Sequence, residues 1–189
     1  MPTTTWLNRL IDESNTWFLA VKSEDSSRFA DAVIYYMKDA VECLKKDQQL
    51  QAALSCASAA SCLEKTGDAL QASRLYVEAA SIYEENSVVT GKDLKERLWS
   101  LERAYYFSIL ANDIKHATDI HNRLLSLQDG NAKPVRGAVE QQVASVGSAD
   151  RGQIVQANRV SESIDEFLEL RKSRFQKPEV ITFGKQGVS

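Results

Sequence analysis

The sequence predicts an all-α protein of stacked antiparallel helical hairpins, with one more helix at its C-terminal end. Three observations carry this. Apolar residues recur at i, i+3, i+4 and i+7 through one segment after another, which is the spacing of a helix face. Glycine and proline number only 8 and 3 in 189 residues and fall between those segments. A block of small residues repeats at a shift of 20 positions, the length of a helix and its turn. No sustained strand alternation occurs before the C-terminal tail.

The first helix is expected over residues 3–22, capped by Thr3, Thr4 or Thr5 and striped by Trp6, Leu7, Leu10, Ile11, Ser14, Trp17, Phe18 and Val21. Residues 23–27 (SEDSS) interrupt it and offer a new cap. The second, about 26–45, carries Phe29, Val33, Tyr36, Met37, Ala40, Val41 and Leu44 on one face. The third, about 47–65, is rich in small side chains, which let helices approach closely. Gly67 then suits a left-handed stop and Asp68 a cap. The fourth, about 68–86, ends at a turn-like stretch over 86–92 (NSVVTGK). A fifth runs about 93–111 and a sixth about 113–128, joined at Asn112 and Asp113. Residues 129–152 hold four glycines and read as a linker, with a short helix at 136–146. The seventh helix, 153–175, is amphipathic through Ile154, Ala157, Ile164, Phe167, Leu168 and Phe175. Pro178 argues against helix beyond it. The expected organisation is a helical-repeat domain over 1–128, a linker over 129–152, a C-terminal helix over 153–175 and a flexible tail over 176–189.

The repeat is specific. Leu50, Gln51, Ala52, Ala59, Ala60, Ser61 and Glu64 recur 20 positions later as Leu70, Gln71, Ala72, Ala79, Ala80, Ser81 and Glu84. Residues 112–117 parallel 67–72 more faintly, at a shift of 45. Adjacent helices with one small-residue pattern can pair as a hairpin, and hairpins can stack into an array. A closed helix bundle would carry the same stripes.

Residues 66–85 (TGDALQASRLYVEAASIYEE) resemble the second helix of a tetratricopeptide-like repeat, through Gly67 at the turn, Ala72, Tyr76 and Ala79. Ala60 and Leu63 stand where that family has glycine and tyrosine in the preceding helix; Cys56 stands in place of its tryptophan, and the closing proline is lacking. The long helices and the AA-x-x-Y pattern of Ala79, Ala80 and Tyr83 are similar to the SNAP branch, whose members bind helical bundles of membrane-fusion proteins. The resemblance covers about 26–128. It implies a TPR/SNAP-like α-solenoid whose first helices line a concave face. It further implies a non-enzymatic scaffold or adaptor holding a partner segment there, in membrane traffic or complex assembly. Ala57 and Ser61 replace the lysine and asparagine of members that clamp a C-terminal carboxylate, so that mode is not expected.

On such a face the matching contact positions are Ser61, Glu64 and Lys65, and on the fifth helix Trp99, Glu102 and Tyr106. Tyr105, Tyr106 and Phe107 reinforce the point: each step along a helix turns about 100°, so all three cannot face inward. Either one of them anchors a partner, or the trio packs under the seventh helix. The alternative to an adaptor is a structural subunit permanently buried in a larger multiprotein complex.

Other functions find little in the residues. With 23 Lys+Arg against 26 Asp+Glu, the net charge is -3, without the basic footprint of a nucleic-acid binder. His116 and His121 are about 140° apart on one helix and cannot share a ligand face. His116 with Asp113 or Asp119 gives too few ligands for a metal. Gly91-Lys92 lacks the rest of a phosphate loop, and no cysteine has a base nearby in sequence. No enzyme activity, cofactor or metal is expected. Cys43, Cys56 and Cys62 lie in apolar helical stretches and read as buried reduced thiols, favouring a reducing, cytoplasmic setting. The N-terminus lacks a secretory pattern, and no apolar run approaches the length of a membrane span. Residues 151–189 carry seven Lys/Arg and five Asp/Glu; Arg171, Lys172 and Arg174 suit the end of a helix dipole. The alternative is that this helix and the tail dock on a partner or an acidic surface.

Overall fold

The computed structural model describes residues 15–89, 92–129 and 153–175, and every regular element among them is an α-helix. In chain order these are α1 (Thr16–Asp25), α2 (Phe29–Lys45), α3 (Gln49–Thr66), α4 (Ala69–Val88), α5 (Leu94–Leu110), α6 (Ile114–Asp129) and α7 (Gln153–Phe175). The expectations for Trp6 to Ser14, for the linker beyond residue 129 and for the tail lie outside the described residues. None of the described helices is long and apolar enough to cross a membrane.

Three boundaries differ from the sequence reading. The helix expected over 3–22 is broken at Asn15, whose backbone is extended (φ -71°, ψ 130°) and whose side chain caps a helix starting at Thr16 by accepting from the Trp17 amide at 2.9 Å. The other two differ for one reason: polar residues are satisfied inside a helix. Ser23 is buried within α1, and Ser26 donates its hydroxyl back to Lys22 O at 2.8 Å, so the helix runs to Asp25. Arg28, not a serine, takes the N-cap position of α2. The fourth helix likewise continues through Asn86 and Ser87 to Val88. Both side chains are buried there: Asn86 donates to Ser100 Oγ of α5 at 2.7 Å and accepts from Lys92 Nζ.

The turns repeat one backbone solution. Ser27, Asp47, Gly67 and Asn112 all take positive φ, of 56°, 59°, 85° and 59°. In each case the next amide reaches back five residues: Arg28 to Ser23 O, Gln48 to Cys43 O, Asp68 to Leu63 O and Asp113 to Ser108 O, all at 2.8–3.0 Å. This is the Schellman arrangement, which satisfies carbonyls left open by the ending helix. Asp68 and Asp113 then cap the next helix by accepting from the amides of Gln71 and His116 at 3.1 Å. Such short turns reverse the chain and make consecutive helices antiparallel neighbours, and α1 through α6 pack in that order.

Five residues past each left-handed position stands a buried alanine: Ala32, Ala52, Ala72 and Ala117. Ala40, Ala60 and Ala80 form a second buried set at the 20-residue spacing. Methyl side chains at these crossings allow close interaxial approach. Between them Met37, Leu44, Leu75, Ile82 and Leu101 fill the interior. Buried Asp39 ties the first three helices by accepting from Thr16, Cys43 and Ser55. Ion pairs join helices two apart, Glu24 of α1 with Lys65 of α3 and Glu84 of α4 with Arg123 of α6, and His116 of α6 also contacts Glu84. α1, α3 and α5 thus make one layer, the odd layer, and α2, α4 and α6 the other, the even layer.

The seventh helix breaks the order by packing on α2. Val160, Ile164, Phe167 and Leu168 enter the common core. Arg171 is only 4% exposed; rather than ending a helix in solvent, it reaches Glu85 at 2.7 and 3.1 Å and Glu78 at 3.5 Å, both on α4.

The shared turn makes a prediction. Gly67→Ala forces a β-carbon into the left-handed region and destabilises by about 1 kcal/mol, whereas Ser27→Gly relieves that strain and stabilises by about 0.5 kcal/mol. Urea unfolding midpoints at constant m-value measure both.

Candidate interaction surface

The six residues expected to contact a partner all lie in the odd layer, on α3 and α5. Ser61 is half-buried, and Glu64, Lys65, Trp99, Glu102 and Tyr106 are exposed. Glu64 joins the α5 group through α4. It accepts from the Tyr76 hydroxyl at 3.0 Å, and Tyr76 stacks on Phe107, with ring centroids 6.0 Å apart. Phe107 also stacks on Tyr83 and meets Tyr106 edge-on, while Tyr83 meets Trp99 edge-on at 5.6 Å. The result is an aromatic seam between α4 and α5 whose two outer members reach solvent, Trp99 at 41% and Tyr106 at 51% exposure.

Helical geometry explains the split of the aromatic trio. Phe107 turns inward onto Tyr76 and Tyr83, Tyr105 leans toward His121 of α6, and Tyr106 faces out. The trio does not lie under α7, which occupies the opposite side of α4. On that helix Glu78, Ser81 and Glu85 face α7, and Tyr76 and Tyr83 lie about half a turn around. Trp99, Glu102 and Tyr106 follow at i, i+3 and i+7 and form a single exposed row on α5.

Lys65 turns away from this row. Its ammonium bonds Glu24 Oε1 at 2.7 Å and lies 5.1 Å from the Phe29 ring centre. Burial opposes ionisation of Glu24, but the hydrogen bonds from Lys65 and Tyr36 outweigh it and hold the carboxyl below the ordinary range. The same Glu24 bond raises the Lys65 ammonium. Tyr36 donates to Glu24 at 2.8 Å as Tyr76 does to Glu64, so two hairpins 40 residues apart carry one tyrosine–glutamate tie. Burial, first, and the accepting carboxylate push both phenols up.

The sequence reading did not include Arg103, whose guanidinium stands 5.8 Å from the Trp99 ring centre. Its position four residues after Trp99 was the available signal. The surface therefore offers aromatic faces bordered by Glu64, Glu102 and Arg103, suited to an apolar segment with polar flanks. His116 lies 3.0 Å from Glu84, and among the described residues no three His, Cys, Asp or Glu side chains converge to hold a metal. Cys43, Cys56 and Cys62 are buried, and burial pushes the Cys62 thiol up to about 12.

The Glu24 tie is testable through pH. A carboxyl held low in the folded state contributes above the ordinary carboxylate range and loses that contribution as pH falls through its folded value. Wild type therefore loses about 1 kcal/mol more stability than Glu24→Gln between pH 7 and pH 3, after allowance for solvent screening. Urea titrations across that range measure the difference.

No protein-family model, curated protein or solved structure matches this chain.

Proposed function

We propose that this protein is a non-enzymatic interaction module, a short TPR/SNAP-like array of helical hairpins that binds a segment of a partner protein along the odd layer. The observation that carries this reading is the exposed Trp99–Tyr106 pair on α5, backed by the buried Tyr76, Tyr83 and Phe107. Aromatic side chains held in place from behind present large apolar area at little entropic cost on binding, and such residues dominate interface hot spots. Glu64, Glu102 and Arg103 supply the polar rim, and Ser61 lies beside Glu64 on α3. Lys65, exposed on α3 beside Glu64, also fixes α1 to α3 through its ion pair with Glu24. The reading takes cytoplasmic surroundings from the buried thiols of Cys56 and Cys62.

A second reading, a permanently buried subunit of a larger complex, draws on exposed apolar residues outside that row. Leu70 is 75% exposed on α4, and Ile114 and Leu125 are exposed on α6. A subunit of that kind associates or precipitates when expressed alone; an adaptor remains a dispersed monomer, as light scattering will show.

The adaptor reading predicts that Trp99→Ala/Tyr106→Ala leaves unfolding stability within about 1 kcal/mol, since both side chains are half in solvent. The same change weakens partner capture from native extract at least tenfold, about 1.4 kcal/mol or more. Identical captured proteins with and without the substitutions would remove the support for this surface.

A further inference from the structure

The seventh helix packs out of chain order, on the even layer. Each of α1 to α6 packs against its neighbours in the chain; α7 instead returns from beyond residues 130–152 to lie on α2 and reach α4. It meets them as a separate amphipathic helix would meet a groove. Val160, Ile164, Phe167 and Leu168 are its buried apolar row, at relative positions 0, 4, 7 and 8. Arg171, at position 11, is the single buried cation of that row.

The receiving side is built for that arginine. Glu78 and Glu85 stand two turns apart on α4 with Ser81 between them. Glu85 takes the guanidinium through both oxygens, Glu78 accepts from Nε at 3.5 Å, and Ser81 donates to Glu85 at 2.9 Å. A planar, two-pronged cation fits this set and a lysine does not. At the other end Gln156 donates to Asp31 of α2 at 3.0 Å.

The seat is specific but not sealed. Desolvation of three charges offsets much of their mutual attraction, so the anchor sets register more than strength. Open clefts run along α7 on both sides. One, of about 390 Å³, lies between Ile34, Tyr35 and Lys38 of α2 and Arg159 and Glu162 of α7. The other, of about 540 Å³, lies between Phe29, Leu63 and Gln71 and the Gln156–Val160 end of α7.

We infer that the α2–α4 face is a receptor for an amphipathic helix with large apolar residues at positions 0, 4, 7 and 8 and arginine at 11, and that α7 occupies it in cis as a competitor of such a partner helix. This surface is separate from the Trp99–Tyr106 row, so either can fail without the other.

The probe is a fluorescein-labelled peptide of residues 153–175, titrated into the full chain and followed by anisotropy. Arg171→Glu in the full chain sets a third carboxylate against Glu78 and Glu85 and frees the face. The peptide then binds this variant at least tenfold more tightly than wild type. A peptide carrying Arg171→Glu loses that binding, and Trp99→Ala/Tyr106→Ala added to the chain does not change it. Phe167→Ala, which loosens α7 without new charge, gives the same order with a smaller gain. Equal peptide affinity for wild type and both folded variants overturns the inference, as does equal binding of the Arg171→Glu peptide. Loss of the whole helical circular-dichroism signal in both variants also overturns it, because the other helices would then depend on α7 to fold.

Discussion

The close approach of successive helices at buried alanines is the constraint on which the rest of this molecule depends. Ala40, Ala60 and Ala80 recur every 20 residues, and Ala32, Ala52, Ala72 and Ala117 follow each left-handed turn by the same distance. A methyl group at a crossing leaves little room for compensation, because interiors are packed as densely as organic crystals. The turn and the alanine therefore work as a unit: the turn fixes where the next helix begins, and the alanine fixes how near it lies.

From this packing follows a division of labour on α4. Its alanines sit between neighbours, its tyrosines turn toward α5, and its glutamates Glu78 and Glu85 turn toward α7. One helix thus supports an aromatic surface on one side and an arginine seat on the other. Seen this way, the exposed Tyr106 is the outermost member of a stack that begins in the core at Tyr76 and Tyr83. Three of the buried polar side chains, Asp39, Asn86 and Arg171, each connect different helices and so specify which neighbours belong together.

Much of this was legible in the sequence wherever the determinants are local. Stripe periodicity located the helices, and Gly67-Asp68 located a turn because glycine announces a left-handed residue. Ser27 and Asp47 take the same conformation, but neither residue type announces it, so the 20-residue period could be read over two helices and not over three. Asn86 and Ser87 looked like turn residues because their partners, Lys92 and Ser100, become visible only once α4 and α5 are paired. Trp99, Glu102 and Tyr106 fell on one exposed row because three positions on one helix are a local matter. Nothing local to Lys65 shows its bond to Glu24, 41 residues away, and nothing local to Arg171 shows its bond to Glu85, 86 residues away. Contacts of that range leave no periodic trace.

The alanine crossings are also the part of the account most open to direct measurement. Ala60→Leu and Ala80→Leu each insert an isobutyl group where two helices meet, and each should lower the free energy of urea unfolding by about 2 kcal/mol or more. Leu70→Ala, on the exposed side of the same hairpin, should change it by less than about 0.5 kcal/mol. A protein that accepts leucine at both crossings with unchanged or increased stability would contradict the claim that close helix approach holds these hairpins together.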